Sequence, residues 1–199
     1  MKCVGSFTIE SGEVLITDPG YDRDTWCAIK LENVERGKWN AFIEEVFFGK
    51  WGSRVTKIVA MHDKILSLED KPWELLDTDI GVDTGQAGFF DWKYYGDEKS
   101  VEYVPNHTAD WDNSIDNVWY KQCCEITLDN KYGVIPYGVV TRSGFGDGIY
   151  DAYICTEPTT DKIVAMMIVF LTEDDIKEWK DLLKNGKIKA KEGYGDNSR

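Results

Sequence analysis

Three glycines within five residues, Gly144, Gly146 and Gly148, separate a β-branched run, Val139-Val140-Thr141, from an apolar and aromatic one, Ile149-Tyr150. This predicts a hairpin, because β-branched residues favour a pleated backbone and glycine adopts positive φ without steric cost. A simple reversal needs fewer glycines, so some amide N–H groups of the turn are expected to face an outside group. Aspartate, glycine and an aromatic recur at two other expected strand ends, Asp18-Pro19-Gly20-Tyr21 and Asp83-Thr84-Gly85-Gln86-Ala87-Gly88-Phe89-Phe90-Asp91. The chain therefore reads as a β scaffold that holds three loops.

Further strands are predicted on either side of Ser11-Gly12-Glu13, over residues 37–48, 54–61, 80–83 and 89–95, and over 119–128, where side chains alternate. Asp18-Pro19-Gly20 ends the second strand. Residues 162–171 form the most apolar run, short enough for a central strand buried on both faces. Residues 63–79 fit neither period, and Pro72 interrupts any helix there. Residues 97–117 read as a long loop anchored by Tyr103, Trp111 and Ile115, of a length that often carries function. One helix is expected: Thr172 caps it, Asp175 completes a capping box, and Ile176, Trp179, Leu182 and Leu183 recur at helical spacing before Asn185-Gly186. The fold class is mainly β, an antiparallel β-sandwich or open barrel with one C-terminal α-helix. It divides into a β domain over 1–171, an appended helix over 172–187 and a flexible tail over 188–199.

A chain of 199 residues supports one well-cored domain. Its 36 acidic and 23 basic residues leave a net charge of −13. That charge opposes binding to a nucleic-acid polymer or an anionic membrane, both of which need lysine and arginine. No run is long enough to span a bilayer, and Met1-Lys2-Cys3-Val4-Gly5 opens no signal peptide. The five cysteines are odd in number and include the adjacent pair Cys123-Cys124. Reduced thiols and a cytoplasmic location are expected from this. Oligomeric state is left open.

Chemistry-bearing residues are few. His62 beside Asp63, and His107 near Asp110 and Asp112, could assemble a zinc site, but no metal-ligand spacing supports one. Asp18, Asp22 and Asp24 lack the rest of a calcium loop and read as a solvated turn. Ser143 lies outside a nucleophile elbow, and Cys123 and Cys124 read as packing thiols. Asp83 and Asp147 could act as acid and base if their loops meet, although such aspartates commonly cap turns. The glycine loop lacks the lysine of a P-loop, yet could form an anion nest with Arg142, beside Phe145, Tyr150 or Tyr137 as a stacking face. The expected ligand-binding set is Asp18, Tyr21, Asp83, Gln86, Phe89, Arg142, Ser143, Phe145, Asp147 and Tyr150. No catalytic set, cofactor or metal is assigned.

As a group, Asp18-Pro19-Gly20-Tyr21, Gly81-Val82-Asp83-Thr84-Gly85-Gln86-Ala87-Gly88-Phe89-Phe90-Asp91 and Ser143-Gly144-Phe145-Gly146-Asp147-Gly148-Ile149-Tyr150 resemble uncharacterised domain-of-unknown-function proteins of bacteria and their phages. The resemblance reaches to about Leu171 and implies no known activity, cofactor or catalytic residue. The expected function is a non-enzymatic cytosolic binding protein whose loops receive a small polar, nucleotide-like ligand or a partner protein. The phage association adds a counter-defence role as an expectation. Two alternatives stand beside it: a metal-assisted hydrolase using Asp18, Asp83 and Asp147, and a structural, oligomeric protein.

Overall fold

A computed structural model describes residues 1–65, 67, 72–101 and 117–185. Two antiparallel sheets pack face to face. The larger runs β1 (Lys2–Ile9), β4 (Gly37–Phe47), β5 (Ser53–His62), β12 (Lys162–Val169), β11 (Gly148–Glu157) and β6 (Glu74–Leu75), with β7 (Ile80–Val82) also paired to β11. The smaller is ordered β3 (Ile29–Leu31), β2 (Val14–Thr17), β8 (Gln86–Asp91), β10 (Gly138–Arg142) and β9 (Tyr132–Ile135). This is the expected sandwich. As the apolar run at 162–171 implied, β12 lies inside its sheet, between β5 and β11.

The main core lies between the sheets, where Ile9, Trp39, Ile58, Met166 and Ile168 from one sheet meet Val14, Ile16, Phe89 and Val139 from the other. Period-two alternation then sends Leu15, Phe90, Val140 and Ile135 to the opposite face of the smaller sheet. That face is covered by helix α1 (Val118–Asn130), through Trp119 and Cys123. The smaller sheet is thus a middle layer, buried on both sides. Phe90 lies against two glycines: a Cβ on Gly88 or Gly138 would come within 2.8 or 2.7 Å of its ring. Trp119 and Tyr95 meet that ring edge-on, with centroids 5.2 and 5.5 Å away.

Two expectations are corrected here. Residues 119–128 are helical, not extended. Asn117 caps the helix by accepting from the Tyr120 N–H, and Lys131 ends it in the left-handed conformation with its N–H on the Thr127 carbonyl. Trp119, Cys123 and Thr127 follow one another every four residues on the buried side. Residues 139–150 are not a hairpin either: β10 and β11 belong to different sheets, so the glycine turn between them is a crossing. The Asp83-Thr84-Gly85 turn, between β7 and β8, is another. Sheets packed about 10 Å apart need such corners, and the positive φ of Gly85, Gly144 and Gly146 supplies them.

The C-terminal helix, α2 (Glu173–Lys184), carries the expected capping box between Thr172 and Asp175. None of its residues is fully buried. Trp179 anchors it, 4.2 Å from Phe145 and 5.8 Å from Trp51 between ring centroids. Most of the loop expected at 97–117, including Tyr103, Trp111 and Ile115, and the tail at 188–199 lie outside the described residues. No helix among the described residues is long and apolar enough to cross a membrane. Because the Trp179 ring contacts help secure α2, Trp179→Ala should raise hydrogen exchange of the α2 amides by about tenfold or more while leaving strand amides unchanged. Exchange mass spectrometry reads this, and equal loss in both regions would contradict it.

Candidate functional site

The three loops singled out by sequence meet, and a buried carboxylate joins the first two. Asp18, at the end of β2, is fully buried. Its Oδ2 accepts the N–H groups of Asp83 and Thr84 at 2.9 and 2.7 Å. Its Oδ1 accepts the Gly20 N–H at 2.8 Å and the Thr84 hydroxyl at 2.6 Å. The Tyr95 hydroxyl donates to the Tyr21 carbonyl at 2.7 Å and braces the same loop. Gly20 is required by this packing, since a Cβ there would lie 2.7 Å from Thr84 Cγ2 and 3.3 Å from the Tyr120 hydroxyl. The third loop joins through Ser143, whose N–H donates to the Gly85 carbonyl at 3.0 Å.

Between the β7–β8 crossing and α1 lies a groove of about 420 Å³. Thr84, Gly85 and Gln86 line one side. Tyr120, Cys124, Thr127 and Leu128 of α1 line the other, and Arg142 closes one end. Gln86 Nε2 lies 3.5 Å from Cys124 Sγ, and Thr127 Oγ1 lies 3.0 Å from Gln86 Oε1. The arginine is immobilised: Nε donates to the Thr127 carbonyl at 2.7 Å and Nη2 to the Leu128 carbonyl at 3.0 Å. Burial pushes the Cys124 thiol up, against hydrogen bonds from Gln86 and Tyr120 that pull it down. Burial and Cys124 likewise raise the Tyr120 phenol. Both groups stay neutral at ordinary pH, and a neutral thiol is a poor nucleophile.

Of the ten residues expected to bind a ligand, Gln86 and Arg142 line this groove. Asp18 lies behind the crossing, engaged as described. Asp83 is exposed on that turn, and the Tyr21 phenol is raised by burial and by its hydrogen bond to Asp83. Phe89 is fully buried between the sheets and does not line the groove. The Ser143 hydroxyl donates to the Gly146 carbonyl at 2.7 Å, and the Tyr150 hydroxyl donates to the same carbonyl at 2.6 Å. Those groups fasten the turn instead of lining a nest. Phe145 turns away into an aromatic cluster with Phe48, Trp51 and Trp179. Asp147 is exposed on the loop. Tyr137 stacks on Tyr94 at 3.7 Å and does not line the groove.

The groove residues on α1 were not anticipated; a strand reading of 119–128 keeps Tyr120, Cys124 and Leu128 on one face and separates Thr127 from them. The usable signal was Asn117 as a helix cap. His62 is a satisfied core residue: its ring nitrogens contact the Arg36 carbonyl at 2.9 Å and the Lys64 N–H at 3.2 Å. His107, Asp110 and Asp112 lie outside the described residues. The carbonyl of Asp22 closes a turn with Thr25, and Asp22 and Asp24 are both exposed. Among the described residues no three His, Cys, Asp or Glu side chains gather as a metal set.

Residues 78–168 match the model of a protein family of unknown function, DUF4241. No curated protein and no solved structure matches the chain. The matched segment contains β7, the β7–β8 and β10–β11 crossings, α1 and Arg142, and so every wall of the groove. The Asp18 loop lies outside it.

Two outcomes follow from this geometry. Asp18→Ala strips the acceptor from three backbone N–H groups and the Thr84 hydroxyl, and should lower unfolding free energy by about 3 kcal/mol in urea titrations. A change within about 0.5 kcal/mol would mean that water satisfies those groups. Of the five cysteines only Cys3 is exposed. In the native protein a disulfide reagent at pH 7 should therefore modify Cys3 rapidly and Cys124 slowly, as peptide mapping would resolve.

Proposed function

We propose that this chain is a non-enzymatic binding protein of the cytosol, whose groove between the β7–β8 crossing and α1 receives a small polar, nucleotide-like ligand. The groove itself carries the reading. Its 420 Å³ falls in the range of small-molecule sites, about 300–1,000 Å³. Its walls offer an amide, a phenol, hydroxyls and one guanidinium, all fixed by the scaffold before a ligand arrives. Fixed walls lose little entropy on binding.

Three observations favour binding over catalysis. The Ser143 hydroxyl is engaged within its own turn. Burial raises the Cys124 thiol's pKa, and no histidine among the described residues lines the groove. Both Asp18 oxygens are occupied by donors, so a hydrolase built on Asp18, Asp83 and Asp147 would lack its central carboxylate. The five unbridged cysteines are in keeping with a reducing compartment.

Calorimetry against a panel of nucleosides and of linear and cyclic nucleotides tests the reading. At least one member should bind with micromolar to millimolar affinity. Leu128 is half exposed at the groove rim. Leu128→Trp should therefore weaken that binding about tenfold or more by filling the groove, while stability changes by less than about 0.5 kcal/mol. Absence of binding across the panel, or undiminished binding to Leu128→Trp, would overturn it.

A further inference from the structure

Six large apolar side chains are more than half exposed among the described residues, and three of them, Trp26, Leu75 and Ile149, gather along β11. Tyr150, Ala152 and Ile154 of that strand face the core, so Ile149, Asp151 and Tyr153 face outward. Leu75 of β6 lies opposite Tyr153, and Gly81 of β7 lies opposite Ile149. Residues directly opposite share a face, with Cβ positions about 5 Å apart. Gly81 has no side chain to offer there, and Cys27 fills the place. A Cβ on Gly81 would lie 2.6 Å from Cys27 Sγ, and the Cys27 carbonyl accepts the Gly81 N–H at 3.1 Å. That sulfur is therefore within roughly 8 Å of the Ile149 Cβ. The residue before Cys27 is Trp26, 83% exposed. One exposed apolar side chain is ordinary, but several along one strip mark a docking surface.

Carboxylates rim the strip. Asp22 and Asp24 stand beside Trp26 on its loop, and both are exposed. Asp83 and Asp147 adjoin the Val82–Gly148 pair on one side of Ile149, and Asp79 and Asp151 adjoin the Ile80–Tyr150 pair on the other. None of these six is ion-paired with a lysine or arginine among the described residues. Residues 22–27, 74–83 and 147–154 contain one base, Arg23. It is turned away, donating to the Tyr95 carbonyl at 2.7 Å and lying over the Trp92 ring.

We infer that this strip docks a basic segment of another protein, one that carries apolar side chains between its lysines or arginines. The charge selects the occupant. A second copy would set the same acids against one another, and nucleic acid or anionic lipid would be repelled. A basic segment instead pairs with the free carboxylates, places a cation on the open face of the Trp26 indole, and covers Ile149 and Leu75. The strip shares no residue with the groove, so the inference stands apart from the ligand reading.

The test follows, by fluorescence anisotropy at physiological salt, three labelled synthetic peptides of equal length. One alternates lysine with leucine, one lysine with serine, and one glutamate with leucine. The lysine–leucine peptide should bind with micromolar affinity, the lysine–serine peptide about tenfold more weakly, and the glutamate–leucine peptide not at all. Trp26→Ser and Ile149→Ser, both at exposed positions, should each weaken lysine–leucine binding about fivefold or more. Phe47→Ser, which removes an exposed apolar side chain outside the strip, should leave it unchanged. Asp22→Asn combined with Asp24→Asn should flatten its salt dependence. Equal binding of the lysine–serine peptide would reveal general attraction to an acidic protein and overturn the inference. Undiminished binding to Trp26→Ser would do the same. So would dimerisation by light scattering that Trp26→Ser abolishes, which would make the strip a contact between copies.

Discussion

The sandwich depends on two buried aspartates at opposite ends of one strand pair. β2 and β8 run antiparallel, with Val14 opposite Asp91 and Thr17 opposite Gly88. Asp18 follows Thr17 at one end and accepts the N–H groups of the β7–β8 crossing. Asp91 closes the other end, accepting the N–H groups of Glu10 and Ser11 on the crossing from β1 to β2, and that of Lys93 at 2.9 Å. Both carboxylates are fully buried. Where the chain leaves one sheet for the other, its backbone loses its ladder partners, and an unpaired buried N–H costs about 1–3 kcal/mol. A carboxylate placed at each corner supplies the missing acceptors with strong, charge-assisted bonds. The loops converge because the sheets must be joined there.

That requirement also explains the motif Gln86-Ala87-Gly88-Phe89-Phe90-Asp91, within the segment that matches the family model. Ala87 and Phe89 fill the core between the sheets. Gly88 makes room for Phe90, which packs beneath α1, and Asp91 holds the next corner. Gln86 alone among them reaches the groove. A stretch that reads as a ligand loop is mostly the specification of a strand buried on both faces.

The longer strands β4, β5 and β12 were legible because alternation, apolar runs and turn residues act locally, and the capping box of α2 was legible for the same reason. Which sheet each strand joins was not. Glycine turns look alike whether the chain reverses within a sheet or crosses between two, so the Gly144–Gly148 turn read as a hairpin. The helix at 118–130 was hidden because Lys121, Gln122 and Glu125 interrupt its apolar face, and the side chains of 119–128 satisfy a period of two nearly as well as one of 3.6. Tertiary burial against Phe90 and Val140 decided between them. The error in α1 then propagated to the site, since half of the groove's lining comes from that helix.

Most polar groups near the groove are already engaged with the protein. Thr84 is held by Asp18, Thr127 and Cys124 by Gln86, and the Ser143 and Tyr150 hydroxyls by their own turn. Side chains fixed in this way define shape without contributing many new hydrogen bonds. In the proposed binding role, discrimination rests on the few groups with unused capacity, chiefly the remaining N–H donors of Arg142. A guanidinium held by helix carbonyls cannot swing away to neutralise itself against one of the many surface acids. Its helix-capping bonds therefore serve two ends, closing α1 and keeping a cation exposed in an otherwise acidic molecule. Placing both duties on one residue ties the integrity of the α1 terminus to the electrostatics of the groove.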